Sequence, residues 1–208
     1  MRDSIRRVQV WGGVQRLLHW ALALCVLALL ASGWLAGWRD LPFRAQASGA
    51  HANTGYVLAL LLLVRAYLLF FGTRAEHWRD CVPGKVQRGA VADMLRFYLT
   101  GTRSLLPAYY AHNPLWGPVY LLLYLLLALQ AISGILGLQE WHLLGFRLIA
   151  GLALLHLVAV FLHDWKGTGS EVSAMISGYK IFVVSRQGLE GLDGPPSVSV
   201  DALRRGPR

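Results

Sequence analysis

Residues 141–165, WHLLGFRLIAGLALLHLVAVFLHDW, are a nearly unbroken apolar run that nonetheless carries His142, His156 and His163. About 20 apolar residues in helical form cross a hydrocarbon layer of about 30 Å. Inside such a layer an ionisable side chain is costly, so histidines there mark a functional site. Their spacing narrows what the fold can be. His142 and His156 lie 14 residues apart, which on an α-helix is about 21 Å of rise and about −40° of rotation. One helix therefore presents two imidazoles on nearly one face, each close to one boundary of the apolar layer. His163, seven residues further on, falls where the helix meets water and predicts a side chain snorkelling to the interface.

Three more apolar runs of crossing length occupy residues 17–38, 52–71 and 117–138, with the fourth at 143–163. Hydrophobic residues make up 55% of the chain and charged ones 15%, too apolar for an ordinary soluble domain. The pieces outside the runs are too short for a second domain. The expected fold is all-α, an integral membrane four-helix bundle over residues 17–185. A basic arm (1–16) precedes it, and a Gly-, Pro- and Ser-rich tail expected to be disordered (186–208) follows. Between the second and third runs, VQRGAVADMLRFYLTG reads as an amphipathic helix lying on the membrane surface. EVSAMISGYKIF, after the fourth run, is a second candidate surface segment.

The net charge of +9 is distributed as topological information. Sixteen Lys and Arg lie in the N-terminal arm, the 72–113 connection and the C-terminal segment, against Arg39 and Arg44 on the other side. This positive-inside bias predicts cytoplasmic termini and argues against nucleic acid as a partner. Trp11, Trp34 and Trp38 are expected at the interfaces. The first run is too long for a signal-peptide core and is read as an uncleaved span. Cys25 and Cys81 fall in a span and a cytoplasmic-side loop, so no disulfide is expected between them. C-x-x-C-H is missing from the sequence, which excludes conventional covalent haem attachment.

Sorted by depth, the histidines form two levels. His19 and His156 lie toward the cytoplasmic boundary, His51 and His142 toward the periplasmic one. Each level offers two imidazoles from two helices. That number suits the two axial positions of a six-coordinate haem b better than zinc, which takes three or four protein ligands. Gly55, one turn after His51, admits a flat ring or a neighbouring helix. Arg65, 14 residues after His51, either snorkels or neutralises a cofactor carboxylate. Arg147, near His142, has the same two readings. His112, in the A-H-N-P turn, is assigned a turn or polar-network role. The third run, without histidine, is a packing wall with Ser133–Gly134 as its close-contact point.

Taken together, several motifs are similar to those of the prokaryotic cytochrome b561 family, including the b-type cytochrome subunits of nickel–iron hydrogenases. They are V-W ahead of R-x-x-H-W at 16–20, H-x-x-x-G at 51–55, Arg65 ahead of Gly72, H-N-P at 112–114, the His142/His156 pair and MISGYK at 175–180. The chain departs from the pattern at Gly12–Gly13–Val14 and at Ala111. The resemblance implies two non-covalent b haems on His19, His51, His142 and His156. It also implies electron transfer between a periplasmic redox protein and the quinone pool. That protein would be a hydrogenase, another dehydrogenase or a c-type cytochrome.

Two further functions stay open at this level: a stand-alone quinol oxidase reducing superoxide or another small acceptor, and a haem-free metal or proton transporter. In the first reading the chain is an electron-transfer subunit rather than an enzyme by itself. Membrane lipid is a partner in every reading, and a homodimer is left open. The charge bias yields a direct test of topology. A C-terminal reporter active only in the periplasm is expected to stay silent, and a strong signal would overturn either the span count or its orientation.

Overall fold

The computed structural model describes residues 4–38, 40–84, 87–100, 106–107, 109–167 and 170–184. The expected tail, 186–208, lies outside them. Four helices are long and apolar enough to cross a membrane: α1 (Gly13–Ala36), α2 (Arg44–Phe71), α5 (Trp116–Ile135) and α6 (Gln139–Lys166). Their ends follow local chemistry. Gly12 enters α1 in extended conformation, and α2 stops at Gly72, where the backbone turns extended again. The Asn113 Oδ1 accepts from the backbone N–H of Leu115 at 2.9 Å and of Trp116 at 3.4 Å, capping α5 just after Pro114. Gly137, with φ +68°, makes the tight turn from α5 into α6.

α1 packs along α2, α5 packs along α6, and the two hairpins meet chiefly where α2 touches α5. The shared core is Leu18, Leu22, Leu58, Leu127 and Ile149. Large apolar side chains such as Leu24, Leu60, Leu63, Leu154 and Phe161 instead face outward. That is the inverse of a soluble bundle and suits contact with lipid.

The two ends of the bundle differ. At the hairpin end, α1–α2 and α5–α6 are joined by short turns. The other, capped end carries everything else: β1 (Ser4–Gln9), α3 (Trp78–Cys81), α4 (Arg88–Leu99), α7 (Glu171–Ser177) and β2 (Tyr179–Val184). The basic arm thus contains a strand that periodicity did not reveal. β1 pairs antiparallel with β2, in a register from Ser4↔Val184 to Gln9↔Tyr179. Gly178, at φ +89°, ends α7, and its carbonyl accepts from the N–H of Val10 and Trp11. The amphipathic segment forms α4, and Met94 and Phe97 on its inner face are fully buried. Trp11, expected at the interface, is buried with Val10, Ala75, Ala174 and Phe182.

α3 reaches α5 at Gly117, where any Cβ would collide with the Cys81 backbone carbonyl. Gly117→Ala is expected to cost about 1–3 kcal/mol through overpacking, read as a lower unfolding temperature in detergent. Gly89→Ala, where a Cβ meets nothing within 4 Å, serves as the control and should be neutral or mildly stabilising.

Candidate metal centres within the bundle

α6 delivers its two histidines to two different partners. His142 faces His51 of α2 with ring centres 5.9 Å apart, and His156 faces His19 of α1 at 6.3 Å. The closest helix packing runs along α1–α2 and α5–α6, so both pairs bridge the less tightly closed side between the hairpins. The separation has a chemical meaning. Metal–imidazole bonds of about 2.0–2.1 Å, with each nitrogen about 1.1 Å from its ring centre, put the centres of a trans pair about 6.3 Å apart. Both separations are near that length, so each pair would be able to hold one metal between its rings. Among the described residues no group of three or more His, Cys, Asp or Glu side chains could hold an ion. Two imidazoles per level are fewer than the three or four protein ligands that zinc takes and match the number a six-coordinate haem would need.

At the hairpin end the tautomers follow from the hydrogen bonds. The Ser32 hydroxyl donates to the Ala28 carbonyl at 2.6 Å, so its oxygen is left to accept from His51 Nδ1–H, 3.1 Å away. The Ser133 hydroxyl donates to the Gln130 carbonyl at 2.9 Å and accepts from His142 Nδ1–H, also at 3.1 Å. With the proton held on Nδ1, each ring keeps an unprotonated Nε2, the form that binds metal. Gly33 and Gly134 follow these serines in sequence. A Cβ at either would lie 3.0 Å from the Cε1 of His51 or His142. A Ser-Gly dipeptide thus seats each histidine from the neighbouring helix. The packing-wall reading of Ser133–Gly134 missed this, although the repeated S-G at 32–33 and 133–134 was the available signal. At Gly55 a Cβ would meet nothing within 4 Å, so space remains one turn from His51.

The capped-end pair sits among aromatic rings. Trp20 lies edge-on to His19 at 5.6 Å, and Trp116 and Tyr120 lie against His156 at 6.3 and 5.6 Å. Arg65 is 1% exposed. Its Nη1 donates to the Glu76 carbonyl at 2.9 Å, and its guanidinium covers the Tyr124 ring at 4.9 Å. Its Nε and Nη2 are buried without a partner among the described residues. Such a cation has donors to spare for a carboxylate. Arg147, in contrast, lies on the exposed surface of α6.

Three further histidines lie at the capped end, where His77 caps α3 by accepting at Nδ1 from the Arg79 N–H at 3.1 Å, and His112 and His163 pack inside it. The His112 Nε2 is 3.8 Å from the Cys81 Sγ, and Trp11 packs edge-on against its ring. Burial, and secondarily the Arg65 charge, push His112 down to about 4. Burial pushes the Cys81 thiol up to about 11. The pair is therefore thiol and neutral imidazole, not the thiolate–imidazolium of a nucleophilic cysteine. Cys25 and Cys81 are both free. His163 does not snorkel: it is 4% exposed and held by the hydroxyls of Tyr98 and Tyr109. Its seven-residue offset from His156 hides these partners, which come from segments 54 and 65 residues away.

The chain is similar to known proteins over most of its length. The family model described as prokaryotic cytochrome b561 matches residues 10–178. The probable Ni/Fe-hydrogenase B-type cytochrome subunit of Cupriavidus necator is 26% identical over 86% of this chain and 89% of its own length. The probable Ni/Fe-hydrogenase 1 B-type cytochrome subunit of Escherichia coli K12 is 22% identical over 86% and 92%. No solved structure matches the chain significantly. Four apolar helices of membrane-crossing length, facing histidine pairs and a match over most of the chain make this protein a member of the prokaryotic cytochrome b561 family.

Proposed function

We propose that this chain is a dihaem b-type cytochrome of the bacterial inner membrane, passing electrons between a periplasmic redox partner and the quinone pool. The observation that carries the reading is that two histidines of α6, about 21 Å apart along its axis, each face a histidine of another helix. Haem supplies reversible one-electron transfer when bound, and the protein supplies ligands, orientation and local charge. His51 and His142 hold the periplasmic group, and His19 and His156 the cytoplasmic one. Arg65 stabilises a carboxylate at the cytoplasmic level through its free Nε and Nη2. Arg147, exposed on α6, takes the snorkelling role. The basic residues around β1, α4 and β2 support a cytoplasmic capped end.

The relatives are named as B-type cytochrome subunits of Ni/Fe-hydrogenases. Their likeness supports a place in a respiratory oxidoreductase such as a hydrogenase, with the periplasmic subunit docking at the hairpin end. A stand-alone quinol oxidase would use the same two centres without a partner subunit. Co-purification of a second subunit after mild solubilisation separates the two. A spectrum without haem b bands would leave only the haem-free transporter.

Loaded protein is expected to contain two haems by pyridine haemochrome, extractable with acid–acetone. His142→Ala and His51→Ala should each remove one spectral component, while His156→Ala and His19→Ala remove the other. His163→Ala and His112→Ala should retain both. A reproducible content of one haem in fully loaded protein, or loss of both from His142→Ala alone, would contradict the pairing. The serine anchors yield a graded test. Ser32→Ala and Ser133→Ala each remove the hydroxyl acceptor for Nδ1–H and leave a backbone carbonyl, Leu29 for His51 and Gln130 for His142. The loss is therefore expected at the lower end of the about 10–100-fold that outer partners contribute to metal affinity. The expected result is weaker retention and a shifted potential for the His51–His142 component, with the His19–His156 component unchanged.

A further inference from the structure

The capped end contains a hydrogen-bonded chain that haem ligation does not use. Trp116 Nε1–H donates to the Tyr98 hydroxyl at 2.8 Å. An indole N–H only donates, so the Tyr98 oxygen accepts and its own hydrogen points onward to His163 Nε2, 2.6 Å away. His163 then carries its proton on Nδ1 and donates to the Tyr109 hydroxyl at 3.0 Å. Tyr109 donates in turn to the Glu171 carboxylate, which is ion-paired with Lys180 at 2.5 Å. Every hydrogen is assigned in one direction. The chain passes through a dry wall, since Met94 and Phe97 are fully buried and Tyr109 is 9% exposed. Its inner end is one side chain from His156, because Trp116 packs on that ring. Its outer end, Glu171, is partly open to water.

We propose that Tyr98, His163, Tyr109 and Glu171 form a proton relay between the capped-end histidine pair and the aqueous face, serving the protons of quinol oxidation and, in reverse, of quinone reduction. The relay rests on the quinone reading given above. Oxidation of a quinol to a quinone breaks two O–H bonds. It sends two electrons singly to the b-type centre and two protons to water. Each proton enters directly at the second lone pair of the Tyr98 oxygen, because the Trp116 indole occupies the first and only donates. The Tyr98 hydrogen passes to His163 Nε2, the Nδ1 hydrogen passes to Tyr109, and the Tyr109 hydrogen passes to Glu171, which releases it to solvent. Rotation of the two hydroxyls and exchange of the imidazole tautomer reset the chain before the second proton. Lys180 on β2 pairs with the Glu171 carboxylate and anchors it at the end of the chain. Asp164 on α6 fixes its position by accepting from the Glu171 and Val172 N–H groups.

The test uses the full-length, haem-loaded protein in detergent, mixed anaerobically with a short-chain quinol while haem reduction is followed by stopped flow. Tyr109→Phe, Tyr98→Phe and Glu171→Gln are expected to keep their haem content and full reduction by dithionite. Their reduction by quinol should slow by at least about tenfold, as when a positioned proton acceptor is lost. The solvent isotope effect should rise and the pH profile shift, and millimolar formate or imidazole should restore part of the rate. Rates within about twofold of wild type at every pH, or a slowing with no isotope effect and no rescue, would sink the relay. So would loss of haem from all three variants, which would make the chain a structural brace. Wild-type protein that quinol fails to reduce overturns the quinone reading itself, and the relay with it.

Discussion

An imidazole placed in hydrocarbon has to match both of its nitrogens, and the architecture follows from how this chain does so. Ser32 and Ser133 each spend their one hydrogen on a carbonyl of their own helix, so each can only accept from the histidine beside it. That choice leaves Nε2 of His51 and His142 bare and aimed away from the helix that anchors the ring. It also sets how near the helices come, because each ring lies against a glycine where a Cβ would stand 3.0 Å from Cε1. Tight α1–α2 and α5–α6 hairpins are therefore required by the anchors, and the more open side between the hairpins by the ligands.

The capped end is held by different means. Its contacts join segments far apart in the chain: β1 with β2, Trp20 Nε1 with the Met175 carbonyl at 3.0 Å, Arg16 with the Ile176 carbonyl and, from the central connection, the Tyr110 hydroxyl with the Gln9 carbonyl at 3.1 Å. These polar contacts lie outside the apolar core of the spans, where water competes for them and each is individually weak. Their number, with the buried cluster around Trp11 and Phe182, makes a lid over the His19–His156 level. Sequence distance is what makes this lid costly to form and rigid once formed.

How much was legible in the sequence tracks the range of the interaction. Helix count and the two histidine levels follow from hydropathy and from 14-residue spacing within one helix, both local properties. The partners of those histidines were legible only as depths, since depth survives projection onto one dimension. Ser133 reads as a packing residue because a serine's role depends on which ring it meets. His163 shows the limit most plainly. A histidine at a helix end reads as interfacial, yet Tyr98 and Tyr109 arrive from α4 and the connection after it, and bury it. β1 was hidden for the same reason: six residues with no alternating pattern become a strand only when residues 179–184 lie beside them.

The two ends also differ in what they bury. Among the described residues, the buried polar and charged side chains are Gln15, Arg65, Asn113, Ser133, His163, Ser170 and Lys180. All but Ser133 lie toward the capped end. Keeping Arg65 and Lys180 nearly water-free is expensive unless charge is needed there. Burial lowers the Lys180 ammonium pKa, which Glu171 and then Asp164 oppose. Burial also raises the Tyr98 and Tyr109 phenols, which keeps their hydroxyls protonated near neutral pH. One-electron transfer by itself calls for no titratable group beyond the ligands, and the hairpin end buries none. Two-electron chemistry with O–H bonds calls for groups that hold, pass and balance protons, and these are gathered at the capped end. Under the proposed function the asymmetry would divide the labour within one bundle: electrons alone at the hairpin end, electrons coupled to protons at the other.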